Sequence, residues 1–98
     1  MKNYNKQAVV PVKVSGNSMY PTYKDGDVVF IKSASFYNIN DVVVIKCKDC
    51  SIIHRIIKVM NTADNVLYLT KGDNNPFIDR WYSSQNIIGK VITRKDER

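Results

Sequence analysis

Three separated stretches of the chain hold side chains that could act together in group transfer. The first is Ser15-Gly16-Asn17-Ser18-Met19-Tyr20-Pro21-Thr22, which sets a hydroxyl on a glycine-containing turn and stiffens the chain with proline. After Asp25-Gly26-Asp27 it launches the apolar run Val28-Val29-Phe30-Ile31. A serine hydroxyl is a poor nucleophile unless a base lies within hydrogen-bond reach. The chain has one histidine, His54, inside Ile52-Ile53-His54-Arg55-Ile56-Ile57. Strand alternation puts Ile52, His54 and Ile56 on one face and Ile53, Arg55 and Ile57 on the other. An imidazole between isoleucines is partly desolvated, which favours the neutral form that accepts a proton. Alone, the same placement also suits a structural histidine hydrogen-bonded near the core. The third stretch runs through Lys71-Gly72-Asp73-Asn74-Asn75 to Phe77-Ile78-Asp79-Arg80. Either aspartate could hold the far ring nitrogen of a histidine base and fix its tautomer. Each, taken singly, is also at home as a turn residue bonded to its own backbone.

The elements that must position these groups read as β structure. Ala8 to Val14 is the first strand, with Val10, Val12 and Val14 on one face and Pro11 marking an edge position. Val28–Lys32, Asp41–Cys47, Ser51–Met60, Val66–Thr70 and Ile87–Thr93 follow, separated by turn signals at Asp25-Gly26-Asp27, Lys48-Asp49 and Asn61–Asn65. Ser33–Asn40 is a polar connection with room for one short helical turn. Gly72–Asn86 is a long loop rich in Asp, Asn and Ser. Its length marks it as functional, and its embedded Phe77, Trp81 and Tyr82 argue against disorder. Those aromatics either pack beneath the loop or form an apolar patch at a membrane interface. The expectation is an all-β or mostly β single domain of about six strands spanning 1–98, with residues 1–7 as a flexible arm.

Composition narrows the function classes. Ninety-eight residues allow one domain. The longest apolar runs are about four residues, far short of the roughly 20 needed to span a bilayer, and no signal-peptide pattern opens the chain. The net charge of +6 favours anionic partners, part of it lying in Arg94-Lys95-Asp96-Glu97-Arg98. No dense basic block or aromatic-interleaved motif points to a specific nucleic acid. Cys47-Lys48-Asp49-Cys50 lacks the further ligands of a zinc site and the βαβ setting of a thioredoxin-type pair. It reads as two thiols flanking a hairpin turn, able to form a local disulfide in an oxidising compartment.

In chain order, S-G-N-S-M-Y-P-T, the D-G-D turn with its strand, I-I-H-R-I-I-K-V and L-T-K-G-D-N-N-P-F-I-D-R-W resemble the signal peptidase I family. The branch resembled uses histidine where the common bacterial enzymes use lysine, and the resemblance covers about Val12 to Val91. It implies a β-sheet catalytic core with a substrate groove, and a serine endopeptidase that cuts extended secretory-type peptides after small residues, typically alanine. It makes Ser18 the nucleophile and His54 the general base. Asp79 is favoured as the residue that orients His54 and Asp73 as a support, with the exchange of those roles left open. Met19 is a candidate for lining the first substrate pocket, and no metal or cofactor is implied. One oxyanion donor would be the Ser18 backbone N–H, which sits beside the attacking oxygen.

Two departures shape the remaining expectations. Family members carry a transmembrane helix directly before the serine motif, whereas seventeen residues precede Ser18 here. The chain is therefore expected to be either a piece of an anchored enzyme at the outer face of a membrane or a soluble cytoplasmic relative. The spacing Ser-Gly-Asn-Ser-Met is closer to the self-cleaving repressors related to LexA, and it leaves Gly16 where a second oxyanion donor is expected. A self-cleaving regulatory module would want lysine in place of His54 and an upstream Ala-Gly or Cys-Gly bond; the chain has neither dipeptide. A catalytically silent binding domain of the same fold is the other alternative.

Overall fold

The run Val42-Val43-Val44-Ile45 has no polar face, and the fold buries it on both sides. In the computed structural model, which describes residues 8–93, it forms β3 (Val42–Lys46). The other strands are β1 (Val10–Lys13), β2 (Val28–Lys32), β4 (Ser51–Asn61), β5 (Val66–Lys71), β6 (Trp81–Ser83) and β7 (Ile87–Val91). They pair antiparallel throughout in one sheet of order β1-β2-β7-β3-β4-β5-β6. The architecture is all-β. Val43 and Ile45 enter one core with Tyr37, Ile56, Tyr68 and Ile87. Val44, between them, enters a second core with Val14, Val29 and Ile31. Side chains alternate across a strand, so a run without alternation must be covered twice.

Register carries that division into β4. Val43 faces His54 and Ile45 faces Ile52. Ile52 accordingly packs on the first core, and Ile53 on the second. A register shift between Ile56 and Lys58 interrupts the β4–β5 ladder, and beyond it Ile57 and Lys58 are exposed. Edge status for Pro11 agrees with the structure, since β1 is the outermost strand. Proline has no N–H to give a further neighbour.

Four expectations are corrected or refined. There are seven strands rather than about six, because the long loop contains β6, with Leu67, Tyr68 and Leu69 opposite Ser83, Tyr82 and Trp81. A 3₁₀ turn, Ser84–Asn86, follows it, so the irregular connection ends at Arg80. The Ser33–Asn40 connection forms bends and a turn rather than a helical turn, with Asn40 at φ 81° and its N–H donated to Ile56 O. The loop aromatics divide: Tyr82 packs on the first core, whereas Phe77 is 78% exposed. Cys47 and Cys50 are free thiols flanking the β3–β4 turn, where Cys47 N–H donates to Cys50 O. The arm at 1–7 and the charged tail at 94–98 lie outside the described residues. Among those described, no helix is long and apolar enough to cross a membrane.

Candidate active site

Two backbone hydrogen bonds, Val14 N–H to Asp27 O at 2.7 Å and Gly26 N–H to Val14 O at 2.8 Å, close the base of the loop between β1 and β2. Gly16 enters that loop at φ 82°, a left-handed conformation that costs glycine little. Its N–H donates to Asp25 Oδ1 at 2.7 Å. The amide of Gly16 is thereby engaged within the loop. Ser18 follows at the turn, where Tyr20 N–H reaches back to Asn17 O and Tyr23 N–H to Met19 O. Met19 is 1% exposed and anchors the turn from below.

The segment after β5 is laced onto this turn. Asn74 N–H donates to Ser18 O at 2.8 Å, and the Asn74 side-chain amide to Asn17 O at 3.0 Å. Thr22 Oγ1 donates to Asp73 Oδ2 at 2.7 Å, and Asp73 N–H points to Met19 Sδ at 3.3 Å. Arg55 grips Asp73 from the β4 side with two bonds, Nε to Oδ1 at 2.9 Å and Nη2 to Oδ2 at 2.8 Å. Hydrogen bonding from that guanidinium holds the Asp73 carboxyl below its ordinary value, and the same bond raises Arg55.

His54 is buried, with 7% of its surface exposed. Its Nδ1 lies 2.5 Å from Asp79 Oδ2. With Asp79 as the acceptor, Nδ1 carries the hydrogen of this contact, and Nε2 is the ring nitrogen on the Gly72 side. Thr70, fully buried, donates its hydroxyl to the same Asp79 oxygen at 2.6 Å, and Asp79 N–H donates to Thr70 O at 2.8 Å. Gly72 separates Nε2 from the serine turn. A Cβ placed there would stand 3.0 Å from His54 Nε2 and 2.7 Å from Ser18 O, so only glycine admits the approach. Ser18 O and His54 Nε2 thus flank the same position, and no hydrogen bond joins Ser18 to His54 among the described residues.

A groove of about 150 Å³ opens beside Ser18, lined chiefly by Val12, Val14, Ser15, Met19, Val44 and Ile53. Among the described residues the Ser18 N–H has no hydrogen-bond acceptor. No three His, Cys, Asp or Glu side chains among them converge as a metal cluster. The segment after β5 thus reaches both Ser18, through Asn74, and the two neighbours on β4, with Asp79 on the His54 imidazole and Asp73 on Arg55. Met19 lines the groove. Gly16 shapes the turn while its amide serves Asp25. The sequence reading passed over Arg55, Thr70 and Gly72. Their signals are present, though faint: an arginine beside the histidine, and a threonine on the apolar face of β5 two residues before a glycine.

An all-β sheet that seats a serine turn against a carboxylate-held histidine has the layout of a peptidase domain. The chain belongs to the Peptidase S24-like family, whose model matches residues 2–92. It is also similar to the signal peptidase complex catalytic subunit SEC11 of Metarhizium robertsii, at 33% identity over 94 residues, covering 83% of this chain and 55% of that protein. SEC11 of Verticillium alfalfae matches to the same extent and identity. SEC11 of Saccharomyces cerevisiae is 39% identical over 75 residues, covering 72% of this chain and 44% of that protein. The chain spans about half the length of the curated relatives it matches.

Proposed function

We propose that this chain is the catalytic core of a signal-peptidase-like serine endopeptidase working through Ser18, His54 and Asp79. The observation that carries this reading is the orientation of His54, with Nδ1 held by Asp79 and Nε2 turned across Gly72 toward the serine turn. Nε2 takes the Ser18 hydroxyl proton as Oγ attacks the scissile carbonyl. Asp79 stabilises the imidazolium that forms, and the Ser18 N–H donates to the oxyanion. The imidazolium then protonates the leaving amine as the carbon–nitrogen bond breaks. Water deprotonated by His54 releases the acyl group from Ser18. Asp73 takes no proton; it ties β4 to the serine turn through Arg55 and Thr22.

The substrate lies extended in the groove beside residues 12–15, where a small side chain fits the limited volume next to Ser18. Cleavage after small residues of an Ala-x-Ala kind follows from that fit and from the family resemblance. The relatives named as catalytic subunits of a signal peptidase complex support signal-peptide-bearing precursors as substrates, and a membrane surface as the working location follows from the family resemblance alone. The residues from 1 to 98 act as one catalytic domain.

A serine-directed covalent probe and an Ala-x-Ala peptide test the reading together. The wild-type chain is expected to be labelled at Ser18 and to cleave the peptide. Ser18→Ala should lose both, and His54→Ala should lower the rate by about 10²–10⁴-fold, as expected for loss of a general base. Undiminished hydrolysis by Ser18→Ala would sink the proposal. A folded wild-type chain that resists the probe would instead favour the silent binding domain, a reading that draws on the engagement of the Gly16 amide by Asp25.

A further inference from the structure

The curl of the sheet brings β6 back against the tip of the β3–β4 hairpin, and a second cleft of about 370 Å³ lies between them. Lys46 and Lys48 line it from the hairpin, Arg80, Trp81 and Tyr82 from the β6 side, and Asn86 from the 3₁₀ turn. Three cations around one cavity repel one another unless an anion sits among them. The ion pairs among the described residues are His54–Asp79 and Arg55–Asp73, so none of the three has a carboxylate partner there. Asp49 shares the hairpin tip but does not line the cleft. Asp79, next to Arg80 in sequence, is committed to His54 and Thr70.

The neutral donors point the same way. Asn86 Oδ1 accepts from the N–H and hydroxyl of Ser83, which leaves the Asn86 amide hydrogens free to donate. Arg80 lies over the Tyr82 ring, its guanidinium carbon 5.9 Å from the ring centre. A planar guanidinium, two ammonium groups and an amide suit a multiply oxygenated anion such as phosphate. The residues just before Arg80 bear on where such an anion would come from. Phe77 is 78% exposed and Ile78 55% exposed. Exposed apolar side chains beside basic groups and a tryptophan are the composition of a surface that enters the bilayer interface.

We propose that the cleft between the β3–β4 hairpin and β6 binds the phosphate headgroup of an anionic phospholipid, with Phe77 and Ile78 entering the interface beside it. This deepens the membrane-side part of the proposed function and is independent of serine chemistry. It places a lipid contact on the loop that also carries Asp79.

Trp81 is the chain's single tryptophan, so intrinsic fluorescence reports directly on the cleft. The full chain would be mixed at low salt with phosphatidylcholine vesicles, with and without phosphatidylglycerol, and followed by co-sedimentation and emission. Binding and a blue shift are expected only with phosphatidylglycerol. The triple variant Lys46→Gln/Lys48→Gln/Arg80→Gln should bind about two orders of magnitude more weakly, given the usual contribution of each basic residue near an anionic surface. The charge-matched control Lys24→Gln/Lys58→Gln/Lys90→Gln should stay within about threefold of wild type, since surface charges remote from the contact are screened. All three cleft cations are exposed, so folding should survive; Lys48→Glu alone, checked by thermal melting, is the second variant. Equal losses in the two triples would overturn the site in favour of diffuse attraction. A Trp81 response to inorganic phosphate without vesicle binding would overturn the lipid assignment, and absence of both responses would overturn the cleft altogether. Ser18→Ala protein should bind vesicles like wild type, which separates failure here from failure of the peptidase reading.

Discussion

Gly72 sets how closely the serine turn and the imidazole approach. An added Cβ would meet Asn75 Nδ2 and Ser18 O at 2.7 Å and His54 Nε2 at 3.0 Å. The Asn75 amide can swing aside. The Ser18 carbonyl cannot move freely, because Asn74 N–H holds it, so Gly72→Ala must push the turn from the histidine. A displacement of the order of an ångström between reacting groups commonly costs about 10²-fold in rate. Gly72→Ala is therefore expected to lower kcat/KM by about that factor, with a melting temperature closer to wild type than the activity loss suggests; unchanged peptide hydrolysis would contradict the close approach. Ser18, His54 and the two aspartates stand out in the sequence as candidates because their types and order are unusual together. Gly72 does not, since a glycine before Asp-Asn-Asn reads as an ordinary turn. The reason for it lies in a backbone from 54 positions earlier. Thr70 was hidden likewise: a threonine on an apolar strand face says nothing of its acceptor until Asp79 folds back onto it.

At the scale of elements, β4 offers adjacent residues to opposite faces, and the segment after β5 supplies a carboxylate to each. His54 takes Asp79 and Arg55 takes Asp73. One connection thus orients His54 and clamps the serine turn. Its functional character was visible in its length and side chains. Its boundary was not, because Trp81-Tyr82-Ser83 is too short to show a strand period and becomes β6 only by pairing with β5. The longer strands announced themselves through β-branched runs, whereas the Ser33–Asn40 connection depends on a tertiary contact, Asn40 N–H to Ile56 O, that no local pattern reveals. The clamp has a pH signature. Asp73 is held below its ordinary value of 3.8 by hydrogen bonding from Arg55. A carboxyl depressed on folding contributes its full stability above the unfolded value and loses it as pH falls through the folded one. Asp73→Asn is expected to cost about 1 kcal/mol at neutral pH, allowing for solvent screening of a partly exposed pair. Denaturant melts should show that difference shrinking below about pH 4. A difference that stays constant into the acid range would mean that Arg55–Asp73 contributes through packing rather than charge.

For the whole molecule, the groove matters because it spans both cores. Ile52 at its wall packs with the first cluster, whereas Val12, Val14, Val44 and Ile53 belong to the second. Its two sides come from β1 and its exit on one hand and from β3 and β4 on the other, which are separated in sheet order by β2 and β7. A ligand that binds there touches both β1 with its exit and the β3–β4 pair, which also meet through the second core. Binding only the native state stabilises it by about 2.7 kcal/mol at a hundredfold excess over Kd. For a chain of this size that corresponds to a rise in Tm of roughly 10–20 °C. A peptide boronate with alanine at the reacting end, which bonds reversibly to a serine hydroxyl, is expected to raise the Tm of the wild-type chain in proportion to the logarithm of its concentration. The entire transition should move as one, because the ligand bridges both clusters. Ser18→Ala should show little shift, since the covalent contact is gone. Equal shifts in the two proteins would remove Ser18 from the binding event. A two-step melt in which only one step responds would show that the cores unfold separately and that the groove belongs to one of them.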